Sequence, residues 1–219
     1  MTLPQTPQKV WDLPVRLTHW LLVFGVGFSW WSAQNGHLLW HRYSGYTVLS
    51  LLLFRLYWGV CGSSSARFAE FVRPPRAVLA YLRSGARSVG HNPLGALSVL
   101  ALLAALASQT VSGLFAVDTD GIESGPLSAW VSFATGRAAA QWHGLSFDAL
   151  LVLIALHVLA IAAYRLFKRQ DLLTPMISGR AHLPAGAAVH LRFASAARAL
   201  PGVVLAVALV IAIANRFWL

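Results

Sequence analysis

Histidine is the residue type through which this 219-residue chain could do chemistry. It has eight histidines, against one cysteine and seven acidic residues. Four of them, His19, His41, His143 and His157, fall in or at the ends of long apolar runs. Polar side chains in lipid are costly and tend to mark function. His143 and His157 are fourteen residues apart. On a helix of about 3.6 residues per turn this is nearly four turns, so both rings share a face within about 40° and lie about 21 Å apart along the axis. One helix could then serve two sites, one near each membrane surface. Two imidazoles from facing helices can hold a haem iron from both sides and leave it no open position. Such a haem passes electrons and does not readily bind oxygen. The same histidines could instead hold a transported metal ion, but such sites usually add carboxylates at the same depth. Only Asp148 lies within an apolar run.

The elements that must position these residues are membrane spans. Hydrophobic residues make up 57% of the chain and charged residues 11%, where about a quarter charged is usual for a soluble domain. This excludes a disordered chain and an ordinary soluble globule. A formal net charge of +10 would suggest nucleic acid in a soluble protein. Here the basic residues lie between apolar runs, so no nucleic-acid partner is expected and the partner is membrane lipid. The lone Cys61 excludes an intramolecular disulfide framework, a Cys-based zinc site and a Cys-ligated iron–sulfur cluster, and no C-x-x-C-H motif offers covalent haem attachment.

Five runs are long enough to cross the hydrocarbon, which takes about 20 residues: Leu17 to Ala33 (short unless Leu13 to Arg16 join it), Leu38 to Val60, Asn92 to Val117, Trp142 to Tyr164, and Ala199 to the C-terminus. Fourteen Lys and Arg fall in the N-terminal segment, around the loop after the second run and in the segment after the fourth. The other side carries three: Arg42, Arg137 and Arg216. This bias predicts the N-terminus inside and the C-terminus outside, as a multi-pass protein of a bacterial cytoplasmic (inner) membrane. The stretch Pro74 to Ser88, with Val78, Leu79 and Leu82 on one face, reads as a short helix on the inner surface.

That topology sorts the histidines into two depths. His41 and His143 share the outer level, and His19 and His157 the inner one. Gly25, Gly27, Gly45 and Gly113 could make room for a macrocycle or for close helix packing. Arg16 and Arg55 are inner candidates for propionate contacts, with Arg42 and Arg137 their outer counterparts. His91, Arg16 and Asp148 are candidates for a group that accepts or gives protons. For His91 the competing reading is a helix start, with Asn92 as N-cap and Pro93 at N1.

At these residues the chain resembles the prokaryotic cytochrome b561 family, which includes the b-type subunits of membrane Ni,Fe-hydrogenases and formate dehydrogenases. The matching pieces are Trp11-Asp12-Leu13-Pro14-Val15-Arg16-Leu17-Thr18-His19-Trp20, His41-Arg42-Tyr43-Ser44-Gly45, Arg55-Leu56-Tyr57-Trp58, Gly90-His91-Asn92-Pro93-Leu94-Gly95, and the run holding Trp142-His143 and His157. The likeness covers roughly residues 10 to 170. It implies an all-α integral membrane bundle of four core helices holding two non-covalent haem b groups, with axial pairs His19/His157 and His41/His143. The expected organisation is a di-haem domain over 1–170, a basic cytoplasmic connection over 171–198 and an additional spanning helix over 199–219.

The resemblance further implies electron transfer between quinone (ubiquinone or menaquinone) and a redox partner such as a c-type cytochrome, a hydrogenase or a dehydrogenase. Some relatives act alone, oxidising superoxide into the quinone pool. The outer acids Asp118, Asp120 and Glu123 could dock a partner. A histidine-based metal transporter and a cofactor-free structural anchor are the alternatives from other classes.

Overall fold

Helix α1 (Leu13–Gln34) starts at a cap written into its sequence. The Asp12 carboxylate accepts from the Val15 amide at 2.9 Å, and Pro14 sits in the first turn, where its missing N–H is no loss. Leu13 to Arg16 thus join the first run. The helix ends at Asn35, and Gly36 takes a left-handed φ of 72° that permits a tight reversal into α2 (Leu38–Cys61). The computed structural model describes residues 5–84, 92–184 and 191–215. His91, His190, Arg87 and Arg216 lie outside them.

After α2 come the short α3 (Phe68–Phe71) and α4 (Pro75–Ser84). Tyr81, in the surface helix expected here, is buried, and its hydroxyl lies 2.8 Å from that of Tyr164. Helix α5 (Pro93–Phe115) opens as expected, the Asn92 side chain accepting from the Gly95 amide at 2.7 Å. Helix α6 (Phe133–Phe167) is longer than the run Trp142 to Tyr164. Ser132 caps it, and its 35 residues extend about 52 Å, well beyond a hydrocarbon core of about 30 Å. The extra turns are polar and small (Thr135, Gly136, Arg137), which is why apolar run length missed them.

The segment after α6 is folded onto the start of α1. Helix α7 (Leu173–Ser178) receives the Trp20 indole N–H at the Met176 carbonyl, 3.3 Å away. Strand β2 (Arg180–Pro184) pairs antiparallel with β1 (Gln5–Lys9), register Pro7 to His182. This ribbon, together with an isolated bridge between Val117 and Ser124, departs from an all-helical chain. The last helix, α8 (Ala199–Asn215), lies along α2 through a stripe of small residues, Gly202, Ala206 and Val210. Gly202 sits against the Tyr57 ring, leaving no room for a Cβ, and the Tyr57 hydroxyl donates to the Arg198 carbonyl at 3.0 Å.

Four helices among the described residues are long and apolar enough to cross a membrane: α2, α5, α6 and α8 with its preceding turn. The fifth expected span, α1, has the length, 22 residues, and packs on α2. Arg16, His19 and three tryptophans make it less apolar.

The core helices form two hairpins, α1 on α2 and α5 on α6, which meet chiefly through α2 and α5. Val48, Leu52, Leu106 and Leu150 fill that seam. A second apolar cluster, around Trp58, Val10, Val15 and Ala206, ties the end of α2 to the start of α1 and to α8. At its edge the Trp58 indole donates to Asp12 at 2.9 Å, so one buried carboxylate both caps α1 and anchors α2.

Candidate functional site

The span histidines lie on α1, α2 and α6, yet α6 makes little direct contact with α1 or α2. A gap is therefore left between helices that carry facing imidazoles. At one end His41 and His143 face each other with ring centres 6.0 Å apart and planes at 89°. Two imidazoles bonded to one metal at about 2 Å per nitrogen have ring centres roughly 6 Å apart.

Each ring is oriented by a backbone carbonyl of the helix that pairs with its own. His41 Nδ1 lies 2.8 Å from the Ser29 carbonyl, and His143 Nδ1 lies 2.9 Å from the Gln109 carbonyl. A nitrogen this close to a carbonyl oxygen carries the proton, which assigns the tautomer and leaves each Nε2 with its lone pair. At His143 the Gln109 amide donates to that Nε2 at 3.0 Å. A metal bound there takes the amide's place. Gly113 is needed here, since an added Cβ would come within 2.8 Å of the His143 ring.

A cavity of about 540 Å³ opens beside this pair, within the usual range for a cofactor pocket. Gly45 and Gly144 line it, and a Cβ on either would meet no atom within 4 Å. Arg42 also lines it and pairs with Glu123 at 3.0 Å. Glu123 is thus tied into the site and is not merely a solvated loop acid. Arg137 donates to the Val117 carbonyl at 2.9 Å.

At the other end His19 and His157 lie close enough for their charges to interact. His157 Nδ1 is 3.3 Å from the Ser98 hydroxyl. His19 Nδ1 is buried without a hydrogen-bond partner, and so is Arg16 Nε, although another Arg16 nitrogen donates to the Ile177 carbonyl. Buried polar atoms are nearly always paired, so these two orphans mark a place where a polar group fits. Arg55 is buried at the α2–α3 corner, donating to the Ala66 carbonyl at 3.4 Å and lying over the Phe68 ring. Gly25 packs on Val48, the close-packing role. Both histidine levels thus fit haem: paired rings with assigned lone pairs and a glycine-lined cavity at one, orphaned buried donors at the other.

The model for prokaryotic cytochrome b561 matches residues 10–179.

The chain belongs to the prokaryotic cytochrome b561 family.

As a membrane b-type cytochrome of this family it carries haem b and serves electron transport. The probable Ni/Fe-hydrogenase B-type cytochrome subunit of Azotobacter chroococcum mcd 1 is 27% identical over 213 residues, covering 80% of this chain and 88% of the relative. Its counterpart in Azotobacter vinelandii is 26% identical over the same shares. No solved structure matches the chain significantly.

Ser29, Ser98, Gln109 and Ser112, which contact the histidines, were not among the residues singled out from the sequence of this cytochrome. The available signal was their polarity within apolar helices; Gln109 is the one amide in α5.

Proposed function

We propose that this cytochrome relays electrons across a bacterial inner membrane through two non-covalent haem b groups, between the quinone pool and a redox partner of the Ni/Fe-hydrogenase type. Its N-terminus is then cytoplasmic and its C-terminus periplasmic, as the basic residues dictate. The observation that carries the reading is the His41/His143 pair, whose ring centres lie 6.0 Å apart across the gap between α2 and α6, with His19 and His157 interacting electrostatically at the other end. The names of the Azotobacter relatives support the choice of partner.

The axial pairs are His41/His143 and His19/His157. When bound, haem supplies reversible one-electron chemistry at an iron with no free position. The chain's own residues do the rest. The Ser29 and Gln109 carbonyls hold the Nδ1 protons of His41 and His143, which fixes the rings and raises their basicity. Leu52, Leu106 and Leu150 exclude water between the two levels. Arg16 is the arginine we assign to a propionate, because its buried Nε is free to donate. Arg55 closes the α2–α3 corner. Among the described residues no three His, Cys, Asp or Glu side chains form a metal cage, which favours haem over a transported ion.

The test is a reduced-minus-oxidised absorption spectrum of the purified protein with pyridine haemochrome quantification. Two b haems per chain are expected. A colourless protein that binds a divalent ion would overturn the reading in favour of transport.

A further inference from the structure

We infer that the back of α6, centred on Asp148, is the docking face for a membrane-spanning helix of another protein that presents a basic side chain at mid-depth. Asp148 is the one acidic residue within the spans. It lies five residues from His143 and nine from His157, about 7.5 Å and 13.5 Å along the axis, so its depth is between the two histidine levels. At about 100° per residue it points roughly 140° and 180° away from them. The cofactor gap therefore cannot cover it. It is exposed, together with Gln141 two turns earlier and Leu145, Val152 and Leu159 on the same face.

Carboxylates in membrane helices almost always turn inward and pair. Asp148 turns outward, in a helix whose spanning window has a mean hydropathy of 2.4. The missing partner must come from outside the chain. A second copy does not supply it: Arg16 and Arg55 belong to the level of His19, and Arg42 and Arg137 to that of His41, so among the described residues no arginine or lysine lies at the depth of Asp148. Face-to-face pairing of two copies would set Asp148 near its own equivalent, like charge against like. A lysine, arginine or histidine on a foreign helix satisfies the carboxylate and lets Leu145 and Val152 pack. The inference rests on reading the chain as one subunit of a larger membrane complex and extends that reading to the surface used.

The test places the photo-crosslinking residue benzoylphenylalanine at Leu145 or Val152 in the full chain, in membranes of its native host, with Asp148 intact or replaced by Asn or Leu. Irradiation is expected to give one adduct with a different polypeptide, identified by mass spectrometry and carrying a basic residue near the middle of an apolar segment. Asp148→Asn and Asp148→Leu should each cut its yield about tenfold. Haem content, measured on the same samples, should not change, since Asp148 faces away from both histidine pairs. Adducts with the chain itself, adducts with lipid alone, or a yield indifferent to Asp148 would each overturn the inference. Haem loss in the Asp148 variants would overturn the assignment of this face as separate from the cofactor site. Absence of haem in the unsubstituted chain would count against the electron-transfer reading and not against the docking face.

Discussion

The two histidine levels are built differently. At the His41/His143 level, each imidazole is held by its own hairpin: His41 on α2 by the Ser29 carbonyl of α1, and His143 on α6 by the Gln109 carbonyl of α5. The cavity, the tautomers and the ring separation are all present in the protein alone. At the His19/His157 level one ring leans on a serine hydroxyl, and the other leaves its Nδ1 unpaired, as Arg16 leaves its Nε. The outer site is organised by secondary-structure pairing. The other leaves two buried polar atoms without a partner.

The largest expected effect tests whether the levels are independent. His143→Ala should remove one of the two haems and leave the other with an unchanged spectrum, read by haemochrome titration; His157→Ala should remove the complementary one. Retention of both haems in either variant would sink the ligand assignment. Loss of both would show that one level organises the other.

Gly113→Val comes next. The new side chain collides with the His143 ring, so haem at the outer level should be lost or its spin state altered, while the inner haem remains. Ser98→Ala sharpens the contrast from the other side. Removing a hydrogen-bond partner of a ligating imidazole typically weakens binding about tenfold or more. The inner haem should dissociate about tenfold faster and the outer one at its original rate. An effect on the outer haem would break the comparison.

The smallest effect lies outside the haem sites, where α4 rests on the end of α6. Burial, together with the hydrogen bond to Tyr164, pushes the Tyr81 hydroxyl up to about 12. A hydroxyl raised above its ordinary 10.0 stabilises the fold fully below that ordinary value. The contribution fades as pH rises from 10 toward 12. The contact should therefore hold through neutral pH and loosen only in strong alkali, measured as protease sensitivity of residues 68–84, and Tyr81→Phe should flatten that dependence.

Much of this was legible without coordinates. The Asn92-Pro93 start is local, because an N-cap is satisfied within four residues, whereas the Asp12 cap that starts α1 was not read from the sequence. Apolar run length marked α2, α5, α6 and α8, because lipid demands it over each whole helix. The fourteen-residue histidine spacing carried the two depths, because helix geometry is fixed. The polar first turns of α6 escaped, since their helicity comes from the Ser132 cap and packing of Gly136 on Val117, not from hydropathy. The β1–β2 ribbon escaped because its strands are some 170 residues apart and each is too short to declare itself.

The sequence by itself determined the membrane class, the charge asymmetry and which histidines share a depth, all of which depend on residue type and spacing along one helix. Only the tertiary structure decided that α6 stands off from α1 and α2, that backbone carbonyls of α1 and α5 orient the outer imidazoles, that Glu123 engages Arg42, and that Asp148 faces away from both histidine levels. Those outcomes depend on how the hairpins approach each other, and that is set by side chains far apart in sequence competing for the same space.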